Sequence, residues 1–295
     1  MRVLVLGASG MLGHAMMAIL DEAGHLEVHG TLRSGEAKRL FPPGLRRRLV
    51  AGIEAEDQDT LTRLFCELRP DVVINCVGLV KQLQEVNDPL RAIPINAMLP
   101  HRLARLCELV GARLVHISTD CVYSGKKGDY SEEDRVDATD LYGLSKYLGE
   151  VDFPYATTLR TSIIGHELTG AHGLIGWFLE QRETCRGFTR AVFSGLPTVV
   201  LAQMVRDVII PRTGLHGLYH VAASPIDKFD LLQLVADVYG KSIRIAPVDS
   251  PVIDRSLNAG RFRAETGWVA PQWPELIATM HSYFRKMAKQ DHVQG

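Results

Sequence analysis

The stretch RVLVLGASGMLG at residues 2–13 decides the fold of this 295-residue chain. Residues 2–6 are rich in valine and leucine, which is typical of a buried parallel strand. The turn Gly7-Ala8-Ser9-Gly10-Met11-Leu12-Gly13 follows, and a helical pattern runs from residue 11 to about 22. A strand, a glycine-rich turn and a helix N-terminus form an anion site, because unpaired N–H groups and the helix dipole face the anion.

Strand and helix patterns alternate beyond this turn. Strands are predicted at residues 26–31, 71–76, 113–117 and 155–160, and helices at residues 60–68, 100–110 and 140–152. This alternation predicts right-handed βαβ units and an α/β fold with a Rossmann-type, doubly wound parallel sheet. Residues 1–160 are therefore expected to form a dinucleotide-binding domain.

The pattern loosens after residue 160, where glycines become frequent. Helices are predicted at residues 196–210, 229–239 and 271–295, with a strand at 217–221. We expect residues 161–295 to form mainly a smaller C-terminal α/β part that binds substrate. Segments from about 196 to 222 are expected to return to the first domain.

The glycine loop is expected to hold the pyrophosphate of NAD or NADP through Gly7, Ser9, Gly10, Met11, Leu12 and Gly13. Its G-x-x-G-x-x-G spacing differs from G-x-G-x-x-G, and a glycine-rich structural turn is the alternative. An acidic residue closing the second strand would bind the ribose of NAD, whereas an arginine accommodates the phosphate of NADP. Residues 30–34 read GTLRS, so Arg33, with Ser34, favours NADP and leaves NAD open.

Tyr142 and Lys146 form a Y-x-x-x-K pattern on a predicted helix, where residues four apart share one face. An adjacent ammonium favours the phenolate, so we expect a lowered pKa for Tyr142 and a role in proton transfer. Thr119 follows a predicted strand, where its hydroxyl would reach a substrate oxygen. Ordinary helix-surface positions and a turn-capping threonine are the alternatives.

With these residues together, the sequence resembles the extended short-chain dehydrogenase/reductase family, and within it the dTDP-4-dehydrorhamnose reductase group. The resemblance covers nearly the whole chain and is most specific before residue 161. The matching segments are residues 7–13, 75–78, 95–97, 118–125, 142–150, 159–162 and 217–221.

The resemblance implies a nucleotide-sugar substrate bound between the two halves. Thr119 would orient the ketone, Tyr142 would give the proton, and Lys146 would hold the nicotinamide ribose. Asn96 would support the active-site helix or a proton relay. The cofactor would also be lined by Asn75, Cys76, Val77 and Gly78.

Several further residues are candidates for substrate contact. Ser194 and Gly195 fall where the group places substrate loops, and Arg255 and Arg261 carry charges suited to a diphosphate. The remaining candidates are Lys81, Asp120 and Cys121. Structural connections, solvated charges and a turn-capping aspartate are the alternatives. Related 4,6-dehydratases carry Asp-Glu after the threonine, whereas Cys121 follows Asp120 here, which argues against a dehydratase.

Composition narrows the classes of partner. The net charge of −1 gives no basic surplus for nucleic acid, and no apolar run is long enough to predict a membrane span. Glycines and polar residues interrupt the apolar start, so no signal peptide is expected. The five cysteines lack a C-x-x-C pair and the histidines lack metal-ligand spacing, so we expect reduced thiols, a cytoplasmic protein and no catalytic metal. The oligomeric state stays open, with a homodimer among the options.

Three functions remain after these steps. The leading one is NADPH-dependent reduction of an NDP-4-keto-6-deoxysugar for surface-polysaccharide or O-antigen precursors. An NDP-sugar epimerase with tightly bound NAD would use the same tyrosine and lysine. A non-catalytic NADP-binding regulatory subunit, like that of methionine adenosyltransferase, is the third. Thr119, Tyr142 and Lys146 favour an enzyme.

Overall fold

A computed structural model describes residues 1–81 and 84–292 of the chain. The strands are β1 (Arg2–Leu6), β2 (Glu27–Leu32), β3 (Leu49–Ala51), β4 (Val72–Asn75), β5 (Arg113–Thr119), β6 (Ala156–Thr161), β7 (Ile163–Ile164), β8 (Thr184–Phe188), β9 (Ala191–Phe193), β10 (Leu196–Pro197), β11 (Gly217–His220), β12 (Ile226–Asp227), β13 (Arg244–Val248) and β14 (Ile253–Asp254). The α-helices are α1 (Met11–Asp21), α2 (Pro43–Arg46), α3 (Gln58–Leu68), α4 (Pro89–Ala92), α5 (Leu99–Val110), α6 (Leu141–Leu148), α7 (Leu174–Glu180), α8 (Thr198–Met204), α9 (Lys228–Tyr239), α10 (Gly260–Thr266) and α11 (Trp273–His292). Two π-helical segments, Ile93–Met98 and Val205–Ile209, precede α5 and follow α8.

Seven strands form the central sheet in the order β11-β6-β5-β4-β1-β2-β3. All neighbouring pairs in this sheet are parallel. The predicted α/β class and doubly wound parallel sheet are therefore confirmed. Because the strands run the same way, the segments that follow β1, β2, β4 and β5 all emerge at one edge of the sheet.

Helices cover both faces of this sheet, and the side chains of β1 show how. Val3 and Val5 lie in a core cluster with α1, α8 and α11, whereas Leu4 and Leu6 lie in a second cluster with α3 and α5. Burying one such aliphatic side chain contributes about 1.5–3 kcal/mol. The continuous apolar character of residues 3–6 thus follows from burial on both faces.

The later part of the chain builds three small sheets. They pair β10 with β7, β12 and β14 with the central β9, and β13 with β8. Within residues 196–222, α8 packs against α1 and β11 joins β6 at the edge of the central sheet. None of the strands in these small sheets was predicted. Five of them have only two or three residues and so show no periodicity, whereas β8 and β13 have five residues each.

Most predicted element bounds shift by a few residues. The helix predicted at 140–152 ends at Leu148. The next residue, Gly149, lies so close to Asn96 that a Cβ there would be 2.0 Å from the Asn96 carbonyl oxygen. The helix predicted at 196–210 starts instead with the two residues of β10 and ends in a π-helical segment. The last helix ends at His292, and residues 293–295 lie outside the described range.

Candidate active site

The glycine loop joins β1 to α1 at the carboxyl edge of the sheet. Gly7 has a φ of +76°, which favours glycine, and a Cβ on Gly13 would lie 2.0 Å from the Gly7 carbonyl oxygen. Gly10 caps α1 without a side-chain hydrogen bond, and the first turn carries no acid. The first N–H groups of α1 are therefore free for an anion, which fits a dinucleotide pyrophosphate. Leu12 is buried in the core, so it offers only its backbone to a ligand.

We expect Gly13→Ala to lose cofactor binding and to destabilise the fold by about 1–3 kcal/mol, because the new Cβ overlaps the turn backbone. Gly44→Ala is the matched control, since a Cβ there meets no atom within 4 Å. Urea unfolding and titration of NADPH by fluorescence measure both effects. A Gly13→Ala protein with wild-type stability and affinity would show that the helix does not need this close approach.

Arg33 follows β2, which lies next to the glycine loop. Thr31, on β2, accepts a hydrogen bond from the Gly7 N–H through its hydroxyl at 3.1 Å. The Arg33 side chain is exposed, and its guanidinium has no hydrogen-bond or ion-pair partner within residues 1–81 and 84–292. Ser34 instead accepts the N–H of Glu36 at the start of a 3-10 turn. Of these two predicted residues, Arg33 is the one with a free charge.

The loop after β4 divides into supporting and site-facing residues. The buried Asn75 accepts the Val77 N–H at 3.1 Å and lies 3.2 Å from the His116 ring nitrogen. Burial raises the pKa of the Cys76 thiol to about 12, so it stays neutral. Val77 and Gly78 remain half-buried, and a Cβ on Gly78 would lie 3.9 Å from the Lys146 ammonium nitrogen. Asn75 thus shapes a loop whose later residues face the candidate site.

Asn96 lies in the π-helical segment Ile93–Met98, a feature often found near functional sites. Its side-chain oxygen accepts the Leu79 N–H at 2.9 Å. Its amide nitrogen lies 3.1 Å from the Leu79 carbonyl and 3.3 Å from the Ser145 hydroxyl. Asn96 therefore ties the loop after β4 to α6, the helix that carries Tyr142 and Lys146.

Thr119, Tyr142 and Lys146 come together where β5 meets α6. Asp140 begins α6 by accepting the Gly143 N–H at 2.8 Å, which fixes the helix start beside the end of β5. The Tyr142 hydroxyl is buried and has the Thr119 side chain as a neighbour. The buried Lys146 ammonium donates to the Ile117 carbonyl at 2.7 Å, two residues before Thr119.

The expected lowering of the Tyr142 pKa is wrong in this geometry. Burial of the hydroxyl raises its pKa above the ordinary value, and Cys121 adds to the rise while Thr119 opposes it. The Lys146 ammonium donates to the Ile117 carbonyl, and burial is the largest influence on the pKa of the phenol. Burial also lowers the pKa of Lys146 to about 8. Tyr142 therefore holds its proton at neutral pH, which suits a proton donor.

Asp120 and Cys121 follow Thr119 in a 3-10 turn and line the same region. Burial raises the pKa of Asp120, although Arg255 opposes the rise, and raises the pKa of Cys121 to about 12. Arg255 donates through Nε to the Tyr123 carbonyl at 2.8 Å, which holds its guanidinium beside this turn. Lys81 is exposed and pairs with Asp140 at 2.5 Å.

The structure does not support direct substrate contact by the other candidates. Ser194 is buried and its hydroxyl accepts the Leu257 N–H at 2.9 Å. Gly195 is also buried, and a Cβ there would lie 2.7 Å from the Ser162 carbonyl oxygen, so this glycine serves close backbone packing. The guanidinium of Arg261 lies over the Tyr219 ring at the outer sheet edge. Both loop residues are buried, and their contact with substrate stays a prediction.

Two features were missed from the sequence. Lys228 is the first residue of α9, and Asp120 and Cys121 are among its electrostatic neighbours. A lysine in the first turn of a helix opposes the dipole, and that unfavourable position was the available signal. Glu150 and Arg160 form a buried ion pair beneath the site, for which no local pattern existed.

The described residues contain neither a candidate metal site nor a candidate membrane span. Among residues 1–81 and 84–292, no group of three His, Cys, Asp or Glu side chains is placed to hold a metal ion. Within the same residues, no helix combines the length and apolar character needed to cross a membrane. All five cysteines are free thiols.

Comparison with known proteins places this site in a family. Residues 1–264 match the model of the RmlD substrate binding domain family, and the chain belongs to that family. The predicted resemblance is thereby confirmed.

Individual relatives agree with this assignment. The chain is 38% identical over 210 residues to the dTDP-4-dehydrorhamnose reductase of Mycobacterium tuberculosis, covering 66% of this chain and 68% of the relative. It is 27% identical over 305 residues to a probable low-salt glycan biosynthesis reductase, Agl14, of Haloferax volcanii, covering 96% and 98%. The fold matches a crystal structure of dTDP-4-dehydrorhamnose reductase from Bacillus anthracis in complex with NADP, with a TM-score of 0.80, 22% identity, and coverage of 96% and 99%.

Proposed function

We propose that this chain is an NADPH-dependent reductase that converts the keto group of an NDP-4-keto-6-deoxysugar to an alcohol, for surface-polysaccharide or O-antigen precursors. The observation that carries the proposal is the placement of Thr119, the buried Tyr142 hydroxyl and Lys146 together where β5 meets α6. The reductases among the relatives support the substrate class.

Each candidate residue has a proposed role that follows from its position in the site. The glycine loop would hold the pyrophosphate, Arg33 the 2′-phosphate, and Val77 and Gly78 the ribose and nicotinamide side. Bound NADPH would supply the hydride to the ketone carbon. Thr119 would donate a hydrogen bond to the ketone oxygen, and Tyr142 would give that oxygen its proton. Lys146 would hold the ribose hydroxyls, with Asn96 supporting α6 and Asn75 and Cys76 shaping the loop beneath.

The arrangement of the chain is part of the same proposal. Residues 1–160, with returning segments from about 196 to 222, would bind the cofactor, and residues 161–295 mainly the sugar nucleotide. Asp120, Cys121, Arg255 and Lys81 would line the sugar side. We place the enzyme in the cytoplasm, where its nucleotide-sugar substrates are made. Light scattering would test whether it forms a homodimer.

Incubation with NADPH and a panel of NDP-4-ketosugars tests the function. The proposal predicts one NADPH oxidised for each sugar reduced. Inverted sugar without net NADPH consumption would indicate an epimerase. Tight NADPH binding without turnover of any sugar would indicate a regulatory subunit.

We expect Arg33→Ala to weaken NADPH binding about 10- to 100-fold and to leave NADH binding nearly unchanged, because only NADPH carries the phosphate that the guanidinium would bind. Arg135→Ala, which changes an exposed arginine in the loop between β5 and α6, is the control. Fluorescence titration with both cofactors gives the ratio. Equal losses of affinity for NADPH and NADH would mean that Arg33 does not bind the 2′-phosphate.

A further inference from the structure

A buried histidine on α1 connects the glycine loop to the later part of the chain. His14 directly follows Gly13, and its side chain is only 3% exposed. Burial lowers its pKa, so the ring is neutral and has one N–H donor and one acceptor nitrogen. Its Nε2 donates to the His166 carbonyl at 2.8 Å, and its Nδ1 therefore accepts from the Tyr283 hydroxyl of α11 at 3.2 Å. His14 thus joins α1 to segments 152 and 269 positions later.

His166, whose carbonyl receives this hydrogen bond, is itself held by its side chain. Its Nε2 lies 2.8 Å from the Tyr239 hydroxyl at the end of α9, and its ring stacks on Phe284 of α11 with 3.9 Å between the ring centroids. Burial lowers the pKa of His166 to about 4, so this ring is neutral at pH 7 as well. His14, His166, Tyr239 and Tyr283 form a cluster that we call the histidine clasp. It joins α1, α9 and α11 in one buried network.

The histidine clasp holds one end of a loop whose other end also contacts α1. Residues 166–173 form this loop, and Gly173 caps α7 at its end. The Gly173 N–H donates to the Glu167 carboxylate at 3.0 Å, which closes the loop. A Cβ on Gly173 would lie 2.6 Å from Met11 Cε, so the backbone here packs against Met11. Met11 and His14 are three residues apart and share one face of α1. Both ends of the 166–173 loop are therefore anchored on the first turn of α1, which would hold the pyrophosphate.

We propose that His14 is a positioning residue that anchors the 166–173 loop beside the glycine loop, and that this anchoring strengthens binding of the dinucleotide. The physical reason is preorganisation, because segments that are already held in place lose less conformational freedom when a ligand binds. His14 acts without touching the ligand, since both of its ring nitrogens are engaged by His166 and Tyr283. The inference rests on the proposed function only for the identity of the dinucleotide, and its test requires no turnover.

Fluorescence titration of the intact chain with NADPH tests the inference. We expect His14→Phe, which keeps a ring but removes both hydrogen bonds, to weaken NADPH binding about 3- to 10-fold, the range for loss of one or two neutral hydrogen bonds. His14→Gln should restore most of the affinity, because its amide can donate to the carbonyl and accept from the hydroxyl. His25→Phe is the control and should bind normally. His25 is exposed just beyond the other end of α1, where its ring lies 2.8 Å from the Ala23 carbonyl.

Tyr283→Phe provides a second, milder variant, which decides the matter if His14→Phe does not fold. It removes one hydroxyl and should weaken NADPH binding about 2- to 5-fold. In the His14→Phe background it should cause no further loss of affinity, because the hydrogen bond that it breaks is already absent. Urea unfolding shows that each variant is folded under the conditions of the titration.

The outcomes separate positioning from a purely structural role. Wild-type NADPH affinity in the folded variants, even with a lower free energy of unfolding, would overturn the inference. Equal losses of affinity for His14→Phe and His14→Gln would overturn it too, because the hydrogen bonds would then not matter. A wild-type protein that binds neither NADPH nor NADH would also overturn it. Clasp-dependent NADPH binding without reduction of any ketosugar would support the inference and reject only the reductase function.

Discussion

Replacing Tyr142 by phenylalanine should lower kcat for ketone reduction about 100- to 10,000-fold, the usual contribution of a positioned proton donor. The substitution removes one hydroxyl, which lies near Thr119 and keeps its proton because burial raises its pKa. The ring stays, so α6 and the Lys146 contact with Ile117 should persist. NADPH affinity should therefore remain close to that of the wild type.

Tyr147→Phe is the matched control, since Tyr147 lies on the same helix but is 44% exposed. Single-turnover measurements with NADPH and a ketosugar separate the chemical step from binding. Normal turnover by Tyr142→Phe would mean that another group gives the proton. The buried Asp120 carboxyl, whose pKa burial raises, would then be the next candidate.

Replacing Glu150 by glutamine should destabilise the protein by about 3–5 kcal/mol, because it leaves the buried Arg160 guanidinium without its charge partner. In the structure Glu150 receives two hydrogen bonds of 2.7 Å from Arg160, and a third of 2.7 Å from Ser118. Ser118 precedes Thr119 on β5, so the loss should also disturb the Thr119 hydroxyl, for which we propose a catalytic role. The free energy of unfolding in urea measures the first effect, and kcat the second.

Glu108→Gln is the control for this second variant. Its pair with Arg105 is exposed on both sides, and such surface pairs contribute about 0–1 kcal/mol. Similar losses in the free energy of unfolding for Glu150→Gln and Glu108→Gln would show that burial of the Glu150–Arg160 pair does not add to its contribution. The Glu150 carboxylate also raises the pKa of Lys146. Its removal should therefore lower that pKa from about 8.

The sequence predicted the first half of the fold well, because its strands are buried on both faces. Residues 2–6 and 72–75 consist mostly of aliphatic residues, and each leads into a turn with its own signature. The glycine loop could also be predicted from the sequence, because the turn that requires its glycines is formed by residues close together in the chain. The small sheets around β9 could not be predicted, because their pairing joins residues 191–193 with residues about 35 and 60 positions later.

The candidate site, like the fold, could be predicted from the sequence only in part. Thr119, Tyr142 and Lys146 were found from a spacing and from the end of a strand. The charge states were not predictable, because they depend on burial and on which acceptor the Lys146 ammonium selects. Lys228 was missed because it and its electrostatic neighbour Asp120 lie far apart in the sequence, so no local pattern links them.

Transfer of isotope from the cofactor to the sugar tests the central proposal most directly. The protein would be given NADPH with deuterium at both C4 positions of the nicotinamide, together with an NDP-4-keto-6-deoxysugar, and the product would be analysed by mass spectrometry and NMR. We predict one deuterium on the former ketone carbon for each NADPH consumed, and none with Tyr142→Phe over the same time. A product that carries no deuterium, or an inverted sugar formed while the NADPH is unchanged, would contradict the proposal.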